Sequence, residues 1–118
     1  MFRFENLDIW KEAEEYCVLI YKTTESFPKA EQFSLVSQLR RSAVSVASNI
    51  AEGSASATKK EFYMFLGYSI RSIAENISQL RIAMNLGYIK EKEYAELYLT
   101  AEKLIKRITA FRNSLGRK

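Results

Sequence analysis

The chain has 118 residues, of which 47% are hydrophobic and 27% are charged, and this predicts one domain with a substantial core. It has no histidine and one cysteine, which excludes Ser-His-Asp and Cys-His nucleophiles, imidazole or thiolate metal sites, and internal disulfides. The net charge of +4 is uneven: residues 1–102 carry 12 Lys and Arg against 14 acids, whereas residues 103–118 carry six cations and no acid.

The first predicted helix spans residues 7–24. Asn6 or Asp8 can cap its free amides, and Pro28 prevents it from continuing further. Apolar residues recur at steps of three and four, which places them on one side of a helix: Trp10, Ala13, Cys17 and Ile20.

The second predicted helix spans residues 31–53, with Gly53 as its C-terminal stop. Its apolar stripe is Leu35, Leu39, Ala43, Val46 and Ile50. Residues 42–51 carry no charge, although a helix with one face in water normally carries a charge within that length. Two interpretations remain open: this helix packs against another subunit, or it is the central helix of a monomer.

The third predicted helix spans residues 58–86 and begins with a capping box formed by Thr58 and Glu61. Its predicted buried side comprises Phe62, Leu66, Ile73, Ile77, Leu80 and Met84. The fourth predicted helix spans residues 91–114. Its apolar positions form a seven-residue repeat typical of packed, nearly parallel helices, and they are Tyr94, Leu97, Ala101, Leu104, Ile108, Phe111 and Leu115.

Four amphipathic helices joined by short connections predict an all-α fold, namely an up-down-up-down antiparallel four-helix bundle in a single domain over residues 1–118. No uninterrupted apolar run approaches the length of about 20 residues that a membrane span needs. The N-terminus carries acids early and does not resemble a signal peptide. We therefore expect a cytoplasmic protein without membrane contact.

Lys and Arg residues form two candidate groups for nucleic-acid binding, one on the second and third helices and one on the fourth. A cationic surface of this kind attracts phosphate. The alternative is that cations near a helix C-terminus complement the helix dipole and keep the protein soluble. The candidates are Arg40, Arg41, Lys59, Lys60, Lys103, Lys106, Arg107, Arg112 and Arg117.

Catalysis finds little support in the sequence. A di-iron bundle site needs Glu-x-x-His pairs, and although Glu52, Glu61 and Glu75 are available, no histidine completes the ligand set. The glycines are isolated, so no phosphate-binding loop is present. We therefore expect a protein that is not an enzyme, with no catalytic residue, cofactor, metal or small-molecule substrate.

Several motifs resemble one bacterial family. They are Gln-Leu-Arg-Arg at residues 38–41, Asn-Ile-Ala-Glu-Gly at residues 49–53 and Leu-Gly-Tyr-Ile at residues 86–89. The resemblance is to the four-helix-bundle proteins encoded by intervening sequences in 23S ribosomal RNA genes, and it extends over nearly the whole chain. The sequence departs from the family pattern at Arg71, where a glycine is usual, and at Ser56, where a basic residue is common.

The resemblance implies a four-helix bundle. Through similarity to the accessory protein of diversity-generating retroelements, it also implies a ring-like homopentamer whose basic surfaces contact nucleic acid or a reverse transcriptase. The implied subunit contact includes Gln38, Arg41, Ser45, Asn49 and Glu52. The leading hypothesis is a homo-oligomer that binds RNA or another nucleic acid. The alternative is a protein-interaction scaffold without direct nucleic-acid contact.

Overall fold

The structure is a computed structural model that describes residues 1–116. It contains four α-helices: α1 (Asp8–Thr24), α2 (Leu35–Ser54), α3 (Lys59–Asn85) and α4 (Glu91–Leu115). Two short 3-10 segments lie at Arg3–Asn6 and Lys29–Glu31. No strand occurs in the described part of the chain, and the predicted all-α fold class is therefore confirmed.

Consecutive helices pack side by side along a body of 44 × 23 × 20 Å. The α2–α3 pair makes the most extensive contact, α1 packs on α2, and α4 packs on α3. The α1–α4 contact is the smallest of those between helices and leaves a groove along that side. Short connections make each helix antiparallel to the next, as an up-down-up-down bundle requires. Within residues 1–116, no helix combines the length and apolarity that crossing a membrane requires.

The centre of the bundle is filled by apolar residues from all four helices. The apolar stripe predicted for α2 is confirmed in full, since all five of its residues are buried. The stripe predicted for α1 is partly wrong. Trp10 and Cys17 are only half-buried, and the buried face of α1 instead comprises Ile9, Ala13, Tyr16 and Ile20.

Tyr16 is buried because α3 provides a partner for its hydroxyl group. The Tyr16 hydroxyl donates to Asn76 Oδ1 at 2.6 Å, and Asn76 Nδ2 donates to the Leu39 carbonyl and to Ser42 Oγ, both at 2.9 Å. A second buried bond runs from the Ser69 hydroxyl to the Val46 carbonyl. These bonds link α1, α2 and α3 through polar groups that have no access to water.

The predicted start of α2 at residue 31 is wrong, because Glu31 acts as a cap. Its carboxylate accepts a hydrogen bond from Ser34 Oγ at 2.6 Å and lies 3.4 Å from the Leu35 amide, so the regular helix begins only at Leu35. The Tyr88 hydroxyl, from the α3–α4 connection, donates to the other carboxylate oxygen at 2.9 Å. These hydrogen bonds lower the pKa of Glu31, and the bond from Ser34 has the largest effect.

The capping box predicted at the start of α3 is half formed. Thr58 Oγ1 accepts a hydrogen bond from the Glu61 amide at 3.1 Å, as expected. The Glu61 carboxylate, however, accepts from the Thr58 hydroxyl at 3.1 Å and not from the backbone amide of Thr58.

Gly53 was predicted to stop α2, but the helix continues to Ser54. The glycine instead permits a close approach of α2 to α3. A Cβ at this position would lie 2.7 Å from Phe65 Cβ and 2.8 Å from Phe62 Cδ1, which is closer than such atoms pack.

Candidate nucleic-acid interface

The antiparallel packing of α3 and α4 brings two basic segments to the same end of the bundle. The rings of Phe62 and Phe111 pack at a tilt of 57° with centroids 5.5 Å apart, so the start of α3 lies beside the end of α4. Lys59, Lys60 and Lys106 are all exposed. The start of α3 also presents free amides, which favour anions.

The predicted α4 cations divide between two sides of that helix. Lys103 and Arg107 line the groove between α1 and α4, which has a volume of about 400 Å³ and also contains Glu12 and Glu15. Arg107 Nε lies 2.7 Å from Glu12 Oε1. The positive charge on this side is therefore partly offset by α1 carboxylates.

Arg40 is half-buried and joins α2 to the end of α1. Its Nε donates to Thr24 Oγ1 at 3.0 Å and its Nη2 donates to the Tyr21 carbonyl at 3.3 Å, while its guanidinium carbon lies 4.5 Å from the centroid of the Tyr21 ring. These contacts satisfy groups at the end of α1. The neighbouring Arg41 is exposed.

Arg112 lies on the opposite side of α4 from Arg107 and packs across α3. Its Nε donates to the Tyr63 carbonyl at 3.0 Å, and its guanidinium carbon lies 3.8 Å from the Tyr63 ring centroid. The side chain borders a groove of about 410 Å³ to which α3 contributes Tyr68 and Arg71. Arg117 lies outside the described residues.

Arg71 is not among the cations that the sequence pattern singles out. The signal was present, because Arg71 follows Tyr68 by three residues and Gly67 by four, which places all three on one face of α3. What the sequence did not show is that Arg112 reaches this face from the other helix.

Of the five residues implied in a subunit contact, three are exposed and two form hydrogen bonds within the chain. Gln38, Arg41 and Glu52 are exposed on α2. Ser45 is half-buried, and its hydroxyl lies 2.9 Å from that of Ser72 on α3; Asn49 Nδ2 donates to the Ser45 carbonyl at 2.9 Å. Two of the five are therefore engaged within the chain, and their role between subunits stays a prediction.

A largely apolar groove of about 310 Å³ lies between α1 and α2. Trp10, Cys17 and Val18 line it from α1, and Val44 and Ala47 line it from α2. Burial, followed by the charge of Glu14, raises the pKa of the Cys17 thiol, which keeps it protonated and apolar. No group of three or more His, Cys, Asp or Glu side chains within residues 1–116 is placed to hold a metal ion.

Comparison with known proteins identifies the family. Residues 5–110 match the model of the 23S rRNA-intervening sequence protein family. A crystal structure of a protein of unknown function from the S23 ribosomal protein family of Bacteroides thetaiotaomicron has the same fold, with a TM-score of 0.78 and 20% identity over 88% of this chain and 97% of that chain. No curated protein matches the chain. This protein therefore belongs to the 23S rRNA-intervening sequence protein family.

Proposed function

We propose that this protein is a non-enzymatic, homo-oligomeric helical bundle that binds RNA through its phosphate groups. The observation that carries the proposal is the convergence of Lys59 and Lys60 with the acid-free end of α4 at one end of the bundle. The family's association with 23S rRNA intervening sequences supports RNA as the ligand.

Lys and Arg side chains on helix surfaces contact phosphates and carry little sequence information. Binding is therefore expected to be weakly sequence-specific. It is also expected to weaken steeply with salt, because each phosphate neutralised on a single strand contributes about −0.7 to the slope of log K against log salt concentration.

The test compares two triple variants that remove the same charge from opposite ends of the bundle. The first replaces with Gln three exposed lysines at the basic end, Lys59, Lys60 and Lys106. The control replaces with Gln three exposed lysines at the other end, Lys22, Lys90 and Lys92. If all three basic-end lysines contact phosphate, the first variant makes the slope of log K against log salt concentration shallower by about 2. The control leaves this slope nearly unchanged. Equal effects of the two triples would contradict the assignment.

The homo-oligomer is proposed to form through the α1–α2 groove and the adjoining exposed face of α2. Val44 is 42% exposed and Val18 is 47% exposed, which leaves apolar surface in water that a second copy would cover. Light scattering on the purified protein should report an oligomer that Val44→Glu dissociates. Leu99→Glu, at a 58% exposed position on α4, is the matched control and should leave the oligomer intact. A wild-type monomer at micromolar concentration would refute this part of the proposal.

The alternative is a protein-interaction scaffold, and the observation that favours it is Phe33, which is 92% exposed before the start of α2. Exposed aromatic residues are common anchors at protein interfaces. A pull-down distinguishes the two functions. Partners that remain after nuclease treatment and are lost with Phe33→Ser support the scaffold, and partners lost on nuclease treatment support RNA binding.

A further inference from the structure

The groove between α3 and the end of α4 contains an arginine that is held in place by several contacts. Arg112 is fixed by its hydrogen bond to the Tyr63 carbonyl and by stacking on the Tyr63 ring. Gly67 makes room for this arrangement, because a Cβ there would lie 2.7 Å from Arg112 Nη2. The guanidinium group therefore rests directly on the surface of α3, where Arg112 lines the groove.

The rest of the groove supplies a second cation and an exposed aromatic ring. Arg71 lies with its guanidinium carbon 5.9 Å from the Tyr68 ring centroid, near the outer limit of a cation–π contact, so a stronger partner can draw it away. Tyr68 is 39% exposed and Met64 is 45% exposed. Among residues 1–116, no carboxylate side chain lines this groove, in contrast to the α1–α4 groove, where Glu12 pairs with Arg107.

We propose that this α3–α4 groove binds single-stranded RNA, with one phosphodiester held by Arg71 and Arg112 and the adjacent base stacked on Tyr68. The proposal rests on the RNA binding proposed above and assigns it a specific site. Guanidinium groups suit phosphate because they form charge-assisted hydrogen bonds, and arginine holds phosphate in a defined geometry. Aromatic side chains beside a cationic groove are the usual platform for unpaired bases.

The test measures binding of a labelled twelve-nucleotide uridine RNA and of an abasic ribose-phosphate twelve-mer that carries the same charge. Arg71→Gln should weaken binding of both ligands about threefold to tenfold, because a phosphate contact is lost. Tyr68→Leu should weaken binding of the uridine RNA at least fivefold and leave binding of the abasic ligand unchanged, since stacking is worth about 1–3 kcal/mol per base.

Gly67→Ala tests the groove without changing any charge. The added methyl group displaces the flexible end of the Arg112 side chain and not the backbone, so the bundle should keep its fold. Binding of both ligands should fall at least threefold. Circular dichroism and light scattering check whether the variant keeps the fold and the oligomeric state of the wild type. If binding weakens only because the oligomeric state has changed, the proposal is wrong.

Arg81→Gln is the matched control, because Arg81 also lies over a tyrosine between α3 and α4, 6.0 Å from the Tyr94 ring centroid, but outside this groove. It should leave both affinities within twofold of the wild type. If the basic-end lysine triple weakens binding while Arg71→Gln, Tyr68→Leu and Gly67→Ala do not, RNA binding stands and this site is wrong. If the wild-type protein binds neither ligand, both proposals are wrong.

Discussion

The hydrogen bond between Tyr16 and Asn76 allows a quantitative test of how the bundle is held together. Both side chains are buried, at 1% and 0% exposure, so neither can exchange its partner for water. Tyr16→Phe removes the hydroxyl and leaves Asn76 Oδ1 without its donor. Stranding a buried acceptor costs about 1–3 kcal/mol, and we expect a loss of about 2 kcal/mol in the free energy of unfolding.

Asn76→Ala should cost more, because it removes three hydrogen bonds and a buried side-chain volume. Its Nδ2 group supplies donors to the Leu39 carbonyl and to Ser42 Oγ, and its Oδ1 accepts from Tyr16. At about 1 kcal/mol for each bond, with a further penalty for the cavity, the expected loss is about 4 kcal/mol. The two substitutions share one bond, so the double variant should be about 1–2 kcal/mol more stable than the sum of the single losses predicts.

The assay is urea unfolding followed by circular dichroism at a fixed protein concentration, since self-association makes apparent stability depend on concentration. Tyr98→Phe serves as the control, because Tyr98 is 44% exposed; it should change stability by less than about 0.5 kcal/mol. Strict additivity of the two losses would refute the direct coupling. A Tyr16→Phe loss no larger than that of the control would refute the importance of the buried bond.

Three further predictions follow from local contacts. Gly53→Ala should destabilise the protein by about 1–2 kcal/mol, because overpacking against α3 outweighs the gain of up to about 1 kcal/mol in helix propensity; unchanged or raised stability in thermal unfolding would contradict this. Thr58→Ala should lower the free energy of unfolding by about 1 kcal/mol through loss of the α3 cap. Ala57→Ser, outside the cap, is the control, and an equal loss in both variants would contradict this prediction. Because hydrogen bonds lower the pKa of Glu31 in the folded state, its contribution to stability is full above the carboxyl's ordinary pKa and is lost as the pH falls through the acid range. Glu31→Gln should therefore lose less stability than the wild type between pH 5 and pH 3, and parallel pH profiles would show that the Glu31 contacts do not matter.

Local sequence signals predicted the helices well where the cause of each boundary is also local. The seven-residue repeat of α4 placed Leu97, Ala101, Leu104 and Ile108 correctly in the core. The start of α2 was misplaced because an acid at residue 31 also suits the first turn of a helix. The Glu31 carboxylate instead caps the helix through Ser34 and Leu35, and it accepts a further bond from the distant Tyr88 that no pattern near residue 31 reveals.

The buried polar groups were missed for the same reason. Ser69 and Asn76 lie on the same buried face of α3 as Leu66, Ile73 and Leu80, but a polar side chain adds nothing to an apolar pattern. Their backbone partners are carbonyls of α2, which face them only when the helices pack.

The candidate site was likewise predicted only as far as its causes are local in the sequence. The basic end was visible as a run of cations without acids, and helical spacing already places Arg112 on the opposite flank of α4 from Arg107. The partners of the two arginines, Glu12 and Tyr63, depend on which helix each side of α4 meets.

Binding of RNA through its phosphate groups can be measured directly in a salt series with single-stranded RNA, an RNA hairpin and duplex DNA, made on wild-type protein whose oligomeric state has been measured. We predict that log K for single-stranded RNA falls linearly with log salt concentration, with a slope of about −2 or steeper, and that single-stranded RNA binds more tightly than duplex DNA at equal salt. Binding that does not respond to salt, or no binding to any of the three ligands at 50 mM salt, would contradict it.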